Sequence, residues 1–185
     1  YIKAYVQPKV DMHNGHIIGG EALVRWQNDK EMIYPDQFIP VLEKNGYVID
    51  VDNFIWNKVC ACIKMMEDKG IEPVPISVNV SRMHVYQEKF TENLKNMAGE
   101  YGIDPKYIPL EITESAFTKE EGSLFKKVQS LQGYGFKFSM DDFGSGYSSL
   151  GMLKSERVDE VKIDKTFVDD IATDKGKVLL SNVIR

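Results

Sequence analysis

The chain has 185 residues, 43% of them hydrophobic and 28% charged, enough to bury a core in one globular domain. Charge interrupts every apolar stretch well short of the roughly 18 residues that a membrane-spanning helix needs. The net charge of −5 and the lack of a basic stripe argue against binding a nucleic-acid polymer, and an acidic protein that binds phosphate needs metal ions to bridge the like charges.

The opening Tyr1-Ile2-Lys3-Ala4-Tyr5 has no basic region followed by an apolar run, so it reads as a strand and not as a signal peptide. Strand character is predicted over Ala4 to Val6 and Ile17 to Val24. A helix follows from Asp36 to Asn45, led in by Pro35. From Val51 to Met66 the apolar residues recur at three- and four-residue spacing, with Gly70 as a stop, which predicts an amphipathic helix. Cys60 and Cys62 lie on this helix on different faces and read as reduced thiols of a cytosolic protein. Next come a strand over Ile76 to Val80, a helix over Tyr86 to Met97 and a strand over Ile108 to Ile112. Thr118 to Glu121 has capping-box spacing for a helix that Gly133 and Gly135 end. Strands over Phe136 to Met140 and Val158 to Ile163, and a closing helix over 174–185, complete the order. His13, His16 and His84 sit among polar neighbours and read as solvated.

From the third strand onward, strands begin about 25 to 30 residues apart with helical patterns between them, the spacing of repeated βαβ units. Such units build a parallel sheet, either open and doubly wound or closed into a barrel. No Gly-x-Gly-x-x-Gly follows a strand, which favours the barrel.

The polar residues cluster at strand ends. Glu21, Asn79 and Glu111 fall late in their strands, Asp141 and Asp142 directly follow the fifth, and Lys162 lies in the sixth. In a barrel of parallel strands these ends open onto one face. Converging carboxylates must either raise their pKa values or be neutralised, and an all-oxygen set suits Mg²⁺, Mn²⁺ or Ca²⁺. Taken singly, each acid also fits an ordinary strand end, and Asp141-Asp142 before Gly144 fits a simple turn.

Glu21-Ala22-Leu23-Val24-Arg25-Trp26, preceded by Gln7-Pro8-Lys9, is similar to the signature that names the EAL family. Asn79-Val80-Ser81, Glu111-Ile112-Thr113-Glu114-Ser115, Asp141 to Leu150 and Lys162-Ile163-Asp164 follow in family order. The resemblance implies an α/β fold, a modified TIM-type (β/α)8 barrel with an antiparallel first strand. It implies hydrolysis of cyclic di-GMP to linear pGpG. Glu21, Asn79, Glu111 and Asp141 match ligands of one Mg²⁺ or Mn²⁺, and Asp141 with Asp142 ligands of a second. Lys162 matches the active-site lysine, which with Glu21 and Asp141 forms the catalytic set. Gln7, Leu23 and Arg25 match substrate-holding positions, and Arg25 offers phosphate a planar fork. Glu114 matches the anchor of a loop that couples homodimer contacts to metal binding, and Ser145 in that loop replaces a commoner threonine.

The family pattern continues past the sixth strand with two more strands that carry a catalytic glutamate. The resemblance therefore implies that residues 1–185 hold about six of eight strands and are inactive by themselves. Two alternatives remain. One is a degenerate or truncated EAL domain that binds the nucleotide or a partner, and the other a metal-dependent barrel acting on another phosphate ester.

Overall fold

The computed structural model describes all residues except 30, 115, 117–120, 145–157, 170, 172, 174–176, 178–180 and 182–185. Residues 145–150 of the loop expected over Asp142 to Leu150 and the start of the predicted capping box at Thr118 fall outside the described residues, as does most of the predicted helix over 174–185.

The elements in chain order are β1 (Ile2–Val10), β2 (Ile17–Gln27), β3 (Met32–Ile33), α1 (Pro35–Asn45), α2 (Val48–Asp68), β4 (Ile76–Asn79), α3 (Arg82–Val85), α4 (Phe90–Tyr101), β5 (Leu110–Thr113), α5 (Glu121–Gln132), β6 (Phe138–Phe143), β7 (Glu160–Ile163) and α6 (Lys165–Asp169). The strands form a seven-stranded sheet in the order β1-β2-β4-β5-β6-β7, with β3 paired to β2 alone. β1 runs antiparallel to β2, and the pairings from β2 through β7 along that order are parallel, as the resemblance implies.

Most elements lie where the sequence places them, with shifted ends. The predicted helix over Tyr86 to Met97 starts later, at Phe90, because the short α3 and a turn take up residues 82–89. Ser81 caps α3, its Oγ accepting the Met83 N–H at 3.3 Å. Pro35 opens α1 as predicted, and Gly46 ends it in the left-handed region at φ 78°. The third predicted histidine differs in kind. His84 is 2% exposed, not solvated. It packs 4.4 Å from the Trp56 ring and 5.7 Å from Phe90, and its Nε2 lies 3.2 Å from Asp52 Oδ2. His13 and His16 are exposed as read.

Side chains alternate across a strand, and here the alternation separates two chemistries. Ala22, Ile76, Val78, Leu110, Ile112, Phe138 and Met140 are buried in one core with Ile55, Val59 and Ile63 of α2, Leu94 of α4 and Leu124, Val128 and Leu131 of α5. Glu21, Ser77, Asn79, Glu111, Thr113, Ser139 and Asp141 occupy the intervening positions, on the opposite face of the sheet. One face is therefore apolar under helices, and the other is polar.

The sheet is strongly curved. Laid flat, β1 and β7 would stand about 24 Å apart, five strand spacings, beyond the combined reach of two side chains. Yet Lys9 Nζ on β1 lies 2.8 Å from Glu160 Oε2 on β7. That cross-sheet contact is the signature of a barrel wall, with the polar face inward.

Candidate active site

β2 supplies the first acid. Glu21, Leu23 and Arg25 alternate onto one face, while Ala22, between them, is 2% exposed in the core. Gln7 pairs directly with Glu21 across the β1–β2 ladder, which puts the two side chains on the same face. Parallel pairing then carries the row forward, with Glu21 opposite Ser77, Asn79 opposite Glu111, Glu111 opposite Ser139 and Thr113 opposite Asp141.

The convergence predicted from strand ends is present. Glu21, Glu111 and Asp141 each offer one carboxylate oxygen, and these oxygens lie within 4.8 Å of one another. Lys162 stands among them, its Nζ 3.0 Å from Glu21 Oε2, 2.6 Å from Glu111 Oε2 and 3.0 Å from Asp141 Oδ1. Asn79 joins through its Nδ2, which donates to Glu21 Oε1 at 3.3 Å. Burial opposes the Lys162 charge, but its bond to Glu111 and the nearby charges of Asp141 and Glu21 outweigh burial and raise its pKa. Burial likewise opposes the Glu111 charge, yet bonds from Lys162 and Ser77 hold this carboxyl below its ordinary range.

A bulge sets the two consecutive aspartates. The pairing of β6 with β7 slips between Met140 and Phe143, so the core residues run Phe138, Met140 and then Phe143. The extra residue frees both Asp141 and Asp142 from the core face. The sequence places them after the strand, whereas they lie inside it, β6 running on to Phe143. Asp142 is in the left-handed region at φ 54°, where aspartate is among the better tolerated residues. Burial and the charges of Asp141 and Asp164 raise its carboxyl above the usual range. Glu114 is 3% exposed, and its Oε2 accepts the Gly144 N–H at 3.0 Å, which fastens the backbone just after β6.

The residues expected from the sequence to hold substrate are placed differently. Leu23 lines a cavity of about 460 Å³ between β2 and α1 with Glu21, Asn79, Pro40 and Asp52. Arg25 does not line it; its Nη1 donates to the Val24 carbonyl at 2.8 Å, and the guanidinium sits 5.4 Å over the Tyr34 ring. Gln7 is exposed on β1.

Several residues near the acids have no role in the sequence reading. Lys9 contacts Glu111 and Glu160, and the Ser139 hydroxyl donates to Glu160. The Trp56 indole N–H donates to the Asn79 carbonyl at 3.0 Å and so fixes the end of β4. The only sequence signal for these groups is polarity at alternate strand positions and a tryptophan on the buried face of α2.

A family profile described as EAL domain matches residues 2–185. The chain belongs to the EAL domain family. Among curated relatives of this EAL domain, "Bifunctional diguanylate cyclase/cyclic di-GMP phosphodiesterase MucR" of Pseudomonas aeruginosa is 32% identical over 97% of the chain and 26% of its own length. "Oxygen sensor protein DosP" of Escherichia coli is 32% identical over 99% of the chain and 23% of its own length. The chain thus spans about a quarter of the length of these relatives. The solved structure "PaMucR Phosphodiesterase, c-di-GMP complex" superposes with a TM-score of 0.92 at 31% identity, over 99% of this EAL domain and 75% of that chain. The architecture is therefore the TIM-like barrel of EAL domains. Among the described residues, no helix is long and apolar enough to cross a membrane.

Proposed function

We propose that the chain is the catalytic domain of a cyclic di-GMP phosphodiesterase that opens the ring to linear pGpG with Mg²⁺ or Mn²⁺. The observation that carries this reading is the meeting of Glu21, Glu111 and Asp141 within 4.8 Å around Lys162, on the polar face of a sheet whose relatives include a phosphodiesterase solved with the nucleotide. The donor set fits hard divalent cations, since every side chain is an oxygen donor. Glu21, Asn79, Glu111 and Asp141 would hold one ion, and Asp141 with Asp142 a second. Bound there, such ions supply Lewis-acid stabilisation of the phosphate and lower the pKa of water.

The protein's own groups prepare the phosphodiester for in-line attack. Lys162, kept charged by its three carboxylate neighbours, offsets charge on the phosphate oxygens and orients the attacking water. Water adds to phosphorus, and the departing sugar oxygen takes up a proton, so one ring P–O bond is exchanged for a P–OH bond. The apolar wall from Leu23 to Pro40 suits a nucleobase, with Gln7 and Arg25 as further holds on the substrate. Glu114 anchors the loop that would carry homodimer contacts to the ions. Free Cys60 and Cys62 suit a cytoplasmic setting.

Mass spectrometry of cyclic di-GMP incubated with the full-length protein and Mn²⁺ tests the reading. Appearance of pGpG, abolished by chelator and by Glu21→Ala, is expected. Tight nucleotide binding without turnover would instead identify a binding module.

A further inference from the structure

Glu111 is gripped by two lysines in addition to its bond from Ser77. Its side chain is fully buried, with Oε2 2.6 Å from Lys162 Nζ and Oε1 3.2 Å from Lys9 Nζ. The two lysines come from opposite edges of the sheet, β7 and β1. Lys9 pairs in register with Gly19, so no side chain stands beside it on β2. It extends across the interior to Glu111 and, at 2.8 Å, to Glu160. A carboxylate is planar, so fixing Oε1 fixes where Oε2 points. Rotation of the Glu111 carboxylate would break its bond to Lys9 and, with it, the bond to Lys162.

We propose that Lys9 is a positioning residue for the acidic centre: by holding Glu111 Oε1 it turns Oε2 toward Glu21 and Asp141, where a divalent cation is taken up. This rests on the metal-dependent reading above. Two other roles make opposite forecasts. As a mere tie between β1 and β7, Lys9 would act through Glu160. As a competing cation, it would weaken metal binding, and its removal would strengthen it.

The test uses the full-length protein, with Mn²⁺ affinity measured without nucleotide by the electron paramagnetic resonance of the free ion. Steady-state kinetics and thermal unfolding in chelator accompany it. Lys9→Met should weaken Mn²⁺ binding about tenfold and lower kcat at least as much, with KM within twofold, the pattern of a misplaced catalytic group and not of lost substrate binding. Lys9→Arg, for which Gly19 leaves room, should restore most of the affinity and covers the case in which the methionine variant does not fold. Glu160→Gln should lower the unfolding midpoint while leaving Mn²⁺ affinity within twofold. Equal or tighter Mn²⁺ binding in Lys9→Met overturns the proposal, and so does equal weakening in Glu160→Gln. Failure of the unaltered protein to bind Mn²⁺ would overturn the metal reading and this one together.

Discussion

Lys162 is bonded to three carboxylates, so its loss leaves Glu21, Glu111 and Asp141 to repel one another. Under the role proposed for its ammonium at the phosphate, Lys162→Met should lower kcat by about 10²-fold or more while nucleotide affinity changes little. The same variant should unfold earlier in chelator and recover more stability from Mn²⁺ than the unaltered protein does. Differential scanning fluorimetry with and without Mn²⁺ checks this, and an equal response in both proteins would refute it. Cys60 gives a second residue-scale outcome. Burial pushes its thiol from 9.0 to about 12. The folded state thus keeps a proton that the unfolded state releases above pH 9, and stability falls as pH rises between those values, by about 1.4 kcal/mol per unit at most. Cys60→Ala should flatten that alkaline slope in denaturant titrations, whatever it costs at neutral pH. Single residues were unevenly legible. An acid late in an apolar strand stands out, as Glu111 does, but Lys9, Glu160, Ser77 and Ser139 look like ordinary alternation until curvature brings β1 to β7. His84 looked solvated because its sequence neighbours are polar; Trp56 and Phe90, which cover it, come from other helices.

At the scale of elements, the site depends on how close β2, β4 and α2 lie. A Cβ on Gly19 would stand 2.8 Å from the Pro75 carbonyl oxygen, the same oxygen that accepts the Gly20 N–H at 2.8 Å. Backbone cannot swing away as a side chain can, so Gly19→Ala should pry β2 from β4 at a cost of about 1–3 kcal/mol. Urea unfolding measures this, and a neutral substitution would mean that the strands shift freely. Trp56→Phe keeps the ring in the core but removes the indole donor from the carbonyl of the exposed Asn79, at about 0.5–1.5 kcal/mol. Because Asn79 lies in the acidic row, Mn²⁺ affinity should fall along with the unfolding midpoint. Periodicity made α2 legible, since a long helix repeats its pattern, and Pro35 marked the start of α1. The predicted start of α4 falls four residues early because residues 86–89, a turn, contain no Gly or Pro to interrupt the helical pattern. The bulge at Asp141 and Asp142 was invisible, since it is defined by a slip against β7, a partner some 20 residues away in sequence.

Over the whole molecule the polar face carries a charge imbalance that constrains what it binds. Among the described residues, the linked set holds four carboxylates, Glu21, Glu111, Asp141 and Glu160, against two ammonium groups, Lys9 and Lys162. Two negative charges remain, the amount that one divalent cation cancels. A second ion meets a set already neutral and gains only Asp142, whose carboxyl is partly disfavoured as an anion by burial and by Asp141. The missing negative charge is what a phosphodiester would bring. Titrated with Mn²⁺ alone, the full-length protein should therefore show one strong class of site, and a second should appear only once nucleotide is present. Asp142→Asn should leave the first class unchanged and remove the second. Glu111→Gln should weaken the first and also reduce the stabilisation that Mn²⁺ gives the unaltered protein, about 2.7 kcal/mol when the ion is at a hundred times its dissociation constant. Two equally strong classes without nucleotide would show that the protein alone supplies charge for both ions, and the balance drawn from these six side chains would be wrong.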